Sequence, residues 1–159
     1  MTRHDLCTLL GDVNACTEAQ EWVDSLTCET AEEVWNLCER GDWLLWIAGK
    51  LPGVTRQRLV FAACQCARLA LPFVDKNDLR PLKCIETTEA WTRDEATIEE
   101  LESARGAAYA AAAAAAAYAA YAYAADAAAD AAADGLKRVL RECADIVRKH
   151  ITFEEVAGR

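Results

Sequence analysis

Between Ala107 and Ala133 the chain is alanine at every position except Tyr109, Tyr118, Tyr121, Tyr123, Asp126 and Asp130. Alanine has the highest helix propensity and loses no side-chain entropy on ordering. Such a run predicts one long helix whose bare flank lets neighbouring helices come close. Unbroken from Thr97 to Asp134 it would reach about 57 Å. A compact domain of this length has a radius of gyration near ~15 Å, so a break at Gly106 is expected. Elsewhere the apolar residues also recur at helical spacing, and no stretch alternates with period two. The expected fold is all-α, a compact multi-helix bundle with a long Ala-rich helix, in one domain spanning residues 1–159.

Local signals place the other helices. A short one is expected around His4–Leu10, and a second from Ala15 to Leu26 capped by Asn14. Thr30 and Glu33 form a capping-box pattern, as do Thr97 with Glu100 and Thr152 with Glu155. The helix after Thr30 turns Ala31, Val34, Trp35 and Cys38 inward and should stop at Gly41. Asp42 then caps Trp43–Ala48, which is apolar all round and so expected to be central and buried. A helix opened by Thr55 should run to about Leu71, with Leu59, Ala62, Ala63, Cys66, Leu69 and Ala70 as its apolar stripe. Pro72 should end or bend it. Asp75–Asp78 reads as a loop, and Pro81 suits the first turn of the next helix. Gly135 should close the alanine helix before a last long one, Leu136–His150.

The net charge of −9 is concentrated near the start of the chain: residues 1–50 carry ten acidic groups and three basic ones. That balance argues against nucleic acid, whose phosphates it repels, and favours a basic partner or plain solubility. The eight cysteines sit mostly at apolar positions of helical patterns, where a free thiol behaves as a small hydrophobe. The first residues show no apolar signal segment, so a reducing cytoplasm is expected rather than disulfides. The alanine run is long enough to cross a bilayer. It holds no Leu, Ile, Val or Phe between Ala107 and Ala125, so no membrane span is expected.

Catalytic or metal-binding constellations are sparse. Cys64 and Cys66 point about 200° apart on a helix and cannot clasp one ion. His4 and Cys7 lie one turn apart, but two ligands do not make a site. His150 belongs to a C-terminal cationic cluster with Arg148 and Lys149, which complements the helix dipole. Asp126, Asp130 and Asp134 form an acidic ridge without the Glu-x-x-His pair a carboxylate cage would need. Ser25 and Ser103 lie outside any Gly-x-Ser-x-Gly turn, and no glycine-rich phosphate loop is present. Tyr118, Tyr121 and Tyr123 suit gap filling along a helix of methyl groups, or contact with a partner. Neither an enzyme nor a bound cofactor or metal is expected.

Three stretches carry a family resemblance: Arg40-Gly41-Asp42-Trp43 through Lys50, Ala63-Cys64-Gln65-Cys66 through Leu71, and Ile85-Glu86 through Ala90-Trp91 to Thr97. Together with the Ala-rich helix they resemble a family of small α-helical proteins assigned as immunity proteins of bacterial polymorphic-toxin systems, also found in phage genomes. The resemblance implies a toxin-neutralising or inhibitory binding role and supplies no catalytic residues. The same motifs also have a structural account: Trp43, Trp46 and Trp91 anchor small Ala and Cys residues, while Arg68 and Arg93 pair with Glu86 or Glu89. The leading expectation is a non-catalytic protein that binds a protein partner (a toxin, nuclease or defence protein) through an acidic face. Its residues are Glu18, Glu21, Asp24, Glu32, Glu33 and Glu39, on two consecutive helices. The alternative is a structural module that forms a homodimer through the Ala-rich helix.

Overall fold

The computed structural model describes residues 1–73, 75, 77–104 and 129–158. The alanine run up to residue 128 lies outside them. So do its four tyrosines, the break at Gly106, the side chains of Asp126, Asp130 and Asp134, and the alanine flank as a dimer surface.

Among the described residues the chain is all-α, as expected. Its helices are α1 (Arg3–Asp12), α2 (Thr17–Ser25), α3 (Ala31–Leu37), α4 (Gly41–Ala48), α5 (Arg56–Arg68), α6 (Arg80–Thr92), α7 (98–104), α8 (Ala129–His150) and α9 (Phe153–Val156), with a 3₁₀ turn at Leu71–Phe73. The only extended pairing in that set is an isolated antiparallel bridge between Thr2 and Thr30. No described helix is long and apolar enough to cross a membrane. The helices gather into two compact units: unit 1 is Met1–Thr55 with Leu140–Arg159, and unit 2 is Arg56–Val139.

Unit 1 is assembled from both ends of the sequence. Capping boxes open α1, α3 and α9, each with a threonine hydroxyl accepting from the backbone N–H three residues on. In α3 the Glu33 carboxylate returns to the Thr30 amide at 2.9 Å, and these bonds hold its carboxyl below the usual range. The bridge joins the chain start to that same cap, through Arg3 N–H to the Glu29 carbonyl at 2.8 Å. Leu6, Leu10, Val23, Val34, Trp35, Leu44, Ile47, Ala144, Val147, Ile151 and Val156 are buried in this unit. Arg148 of α8 donates to the Trp35 and Cys38 carbonyls at 3.2 and 2.7 Å, satisfying the open C-terminal end of α3.

Several local expectations are corrected here. Asn14 does not cap α2; it adopts a positive φ of 56°, which asparagine tolerates, and lies just past the end of α1, while the N-cap of α2 is Cys16, which makes no side-chain cap bond. Gly41 does not end α3, which stops at Leu37; it opens α4. A Cβ there would lie 2.6 Å from the Ala144 amide nitrogen, so the glycine serves close helix approach. Asp42 sits inside the first turn and pairs with Arg40 rather than capping. Helix α4 is not buried all round, because Trp46 is 38% exposed.

Unit 2 is built on α5 against α6. The expected α5 stripe is shifted: Ala62 and Cys64 are buried, whereas Ala63 and Ala70 are exposed. The reason is the polar lock between the helices. Glu89 of α6, nearly buried, accepts from Gln65 Nε2 at 2.7 Å and from Arg68 Nε and Nη2 at 2.8 and 2.7 Å. That turns Gln65 and Arg68 toward α6. Arg93 pairs instead with Glu95. Arg56 stacks over Trp91, its guanidinium carbon 5.6 Å from the ring centroid. The Thr97–Glu100 capping box forms as expected. Gly135 does not terminate a helix but lies within α8.

Candidate functional site

Unit 1 holds a half-open apolar cavity of about 580 Å³. Its walls are aromatic. Trp22 and Trp43 tilt against each other with centroids 5.9 Å apart, and Trp35 meets Phe153 at 6.5 Å. Ala31, Val23, Val34 and Leu44 of the lining are almost fully buried. Trp46 also lines it and carries the Lys50 ammonium 5.3 Å above its ring. The cavity exists because α2, α3 and α4 contribute wide tryptophans that lean on small neighbours such as Ala15, Ala19 and Ala31. Bulky rings that meet at a tilt leave space between them that methyl groups do not fill.

The polar part of the lining is an ion cluster. Arg40 Nε and Nη2 bond the two oxygens of Asp42 at 2.9 and 2.7 Å, and Nη1 bonds Glu18 at 3.1 Å. The guanidinium also lies 4.3 Å from the Trp43 ring centroid. Its proximity holds the Asp42 carboxyl below the usual aspartate range, and Asp42 raises the arginine in turn. One cation is thus matched by two carboxylates.

All six carboxylates proposed from the sequence belong to unit 1 and are exposed. They are not equally available. Glu18 is held by Arg40, and Glu39 by Arg141 at 2.7 Å. Asp24 accepts from the Cys7 thiol at 3.3 Å, and Glu33 is spent on its capping box. Glu21 and Glu32 have no hydrogen-bond or ion-pair partner among the described residues. The sequence reading missed the cavity, together with Arg40 and Asp42 in its lining. The four tryptophans between Trp22 and Trp46 were the available signal.

Thiols and imidazoles do not converge. No disulfide joins any of the eight cysteines, and among the described residues no group of three or more His, Cys, Asp or Glu is placed to hold a metal ion. Burial pushes the Cys64 thiol up to about 11, with the Glu89 charge adding to the effect, and burial raises Cys38 as well. Both favour the protonated, unreactive form. No protein-family model matches the chain, and no curated protein and no solved structure matches it.

Proposed function

We propose that the chain is a non-catalytic binding protein of the immunity or inhibitor type, which neutralises a toxin, nuclease or defence protein through the acidic surface of unit 1. The observation that carries this reading is the partition of charge. Unit 1 holds 14 acidic against 7 basic residues, while unit 2 holds 12 against 10. A field of one sign speeds encounter with a basic partner and disfavours others. Glu21 and Glu32 are the strongest members, because binding them costs no internal ion pair. The resemblance to immunity proteins points the same way.

The test is kinetic. Partners captured by the full chain from its native host, and identified by mass spectrometry, are measured for association with wild type and with Glu21→Lys/Glu32→Lys. The double reversal should slow association by about tenfold or more at low salt and much less at high salt. A partner whose association is unchanged at low salt refutes the acidic-surface reading.

A further inference from the structure

We propose that the cavity of unit 1 seats the apolar face of a basic amphipathic helix from the protein partner. The inference rests on the binding role proposed above and names the chemistry of what is bound.

Volume is the first argument. A cavity of roughly 150 Å³ takes one benzene ring. The cavity here, about 580 Å³, exceeds any single side chain. It matches the two or three bulky residues that one face of a helix presents at i, i+3, i+4 and i+7. Water finds few hydrogen-bond partners on so apolar a lining. The walls suit such anchors: Trp22, Trp43 and Trp46 are each partly exposed at the cavity, and tryptophan-lined pockets concentrate binding energy.

Charge is the second argument and selects the partner. Among the described residues of the lining Arg40 is the only one with a basic side chain, and Glu18 and Asp42 both neutralise it. Glu21 and Glu32 stand on α2 and α3 outside the lining, where they add to the negative field of unit 1 without touching the contents of the cavity. The acidic excess of unit 1 is spread over several helices, farther than a small ligand can reach. A helix with Leu or Phe on one face and Lys or Arg on its flanks fits the apolar lining and is drawn by the acidic field of unit 1.

The experiment uses the full chain and three synthetic peptides, with tryptophan emission as the readout. The first peptide has Leu at i, i+3, i+4 and i+7 and Lys elsewhere. The second replaces each Lys by Glu, and the third replaces each Leu by Ala. The Leu/Lys peptide should shift the emission saturably and bind about tenfold or more tighter than either control. Ala19→Leu and Ala15→Leu fill the cavity from two different positions. Each should weaken the Leu/Lys peptide by about tenfold while keeping the wild-type circular dichroism and melting transition, and two sites guard against one variant failing to fold.

Equal affinity for the Leu/Lys and Ala/Lys peptides overturns the proposal, as does undiminished binding by a folded, cavity-filled variant. Saturable binding of 1-anilinonaphthalene-8-sulfonate that the Leu/Lys peptide cannot displace also overturns it, in favour of a small apolar ligand. These outcomes are separate from the kinetic test on Glu21 and Glu32. A captured partner that responds to charge reversal but not to cavity filling leaves the acidic surface standing and removes only the helix.

Discussion

Substituting Glu89 by glutamine tests the polar lock of unit 2. The carboxylate accepts three hydrogen bonds, two of them from one guanidinium, and its side chain is 11% exposed. Glutamine keeps the shape. Its amide nitrogen can only donate, so at least one arginine N–H then faces another donor. A charge-assisted bond lost at a buried site is worth roughly 1.5–3 kcal/mol. Arg68 is 36% exposed, and water screens part of that loss. The expected cost is about 2 kcal/mol, a fall in melting temperature of roughly 4–8 °C for a chain of this size.

The same pair carries a pH signature. Arg68 holds the Glu89 carboxyl below its ordinary value of 4.5. Because the folded pKa is the lower one, the pair's stabilisation is complete above pH 4.5 and drains away as pH falls through the folded value. Urea unfolding at pH 7 and again at pH 3 should therefore show wild type and Glu89→Gln converging at the lower pH. A variant that costs under about 0.5 kcal/mol at pH 7, or a gap that persists unchanged at pH 3, refutes the reasoning.

Two further outcomes follow from packing. Gly41→Ala should destabilise by about 2–3 kcal/mol in thermal melts, because the new Cβ meets Cys143 and the Ala144 backbone, which cannot swing aside as a side-chain tip would; a melting temperature equal to wild type would show that α4 and α8 approach less closely. Iodoacetamide at pH 8, followed by mass spectrometry, should label exposed Cys16 in the folded chain and reach Cys38 and Cys64 only in urea. Labelling of Cys64 at the rate of Cys16 would contradict the raised thiol pKa and the burial behind it.

Signals confined to one turn of helix were legible in the sequence. The boxes at Thr30, Thr97 and Thr152 pair residues three apart, and nothing distant can easily override them. The box at Thr2 escaped notice because aspartate, not glutamate, closes it. Where the deciding contact is remote in sequence, local rules misled. Gly41 has the look of a helix stop, yet its reason is a helix a hundred residues later. Asn14 has the look of a start, yet its left-handed backbone follows the preceding helix. The acidic residues were easily found, but which of them are committed to Arg40, Arg141 or a cap depends on side chains brought together only by folding. The cavity was the least accessible feature. Each of its aromatic residues has the pattern of core, and only their mutual angles leave room.

Unit 1 joins Met1–Thr55 to Leu140–Arg159, two segments far apart in sequence. Trp35 waits for Phe153, Gly41 for Ala144, and the α3 carbonyls for Arg148. During synthesis the tryptophan-rich opening segment leaves the ribosome well before the pieces that cover it exist. It spends that interval with greasy surface on display, a state prone to aggregation. Loss of the closing twenty residues through a nick or a premature stop would make that state permanent, so the far end of the chain guards the near end.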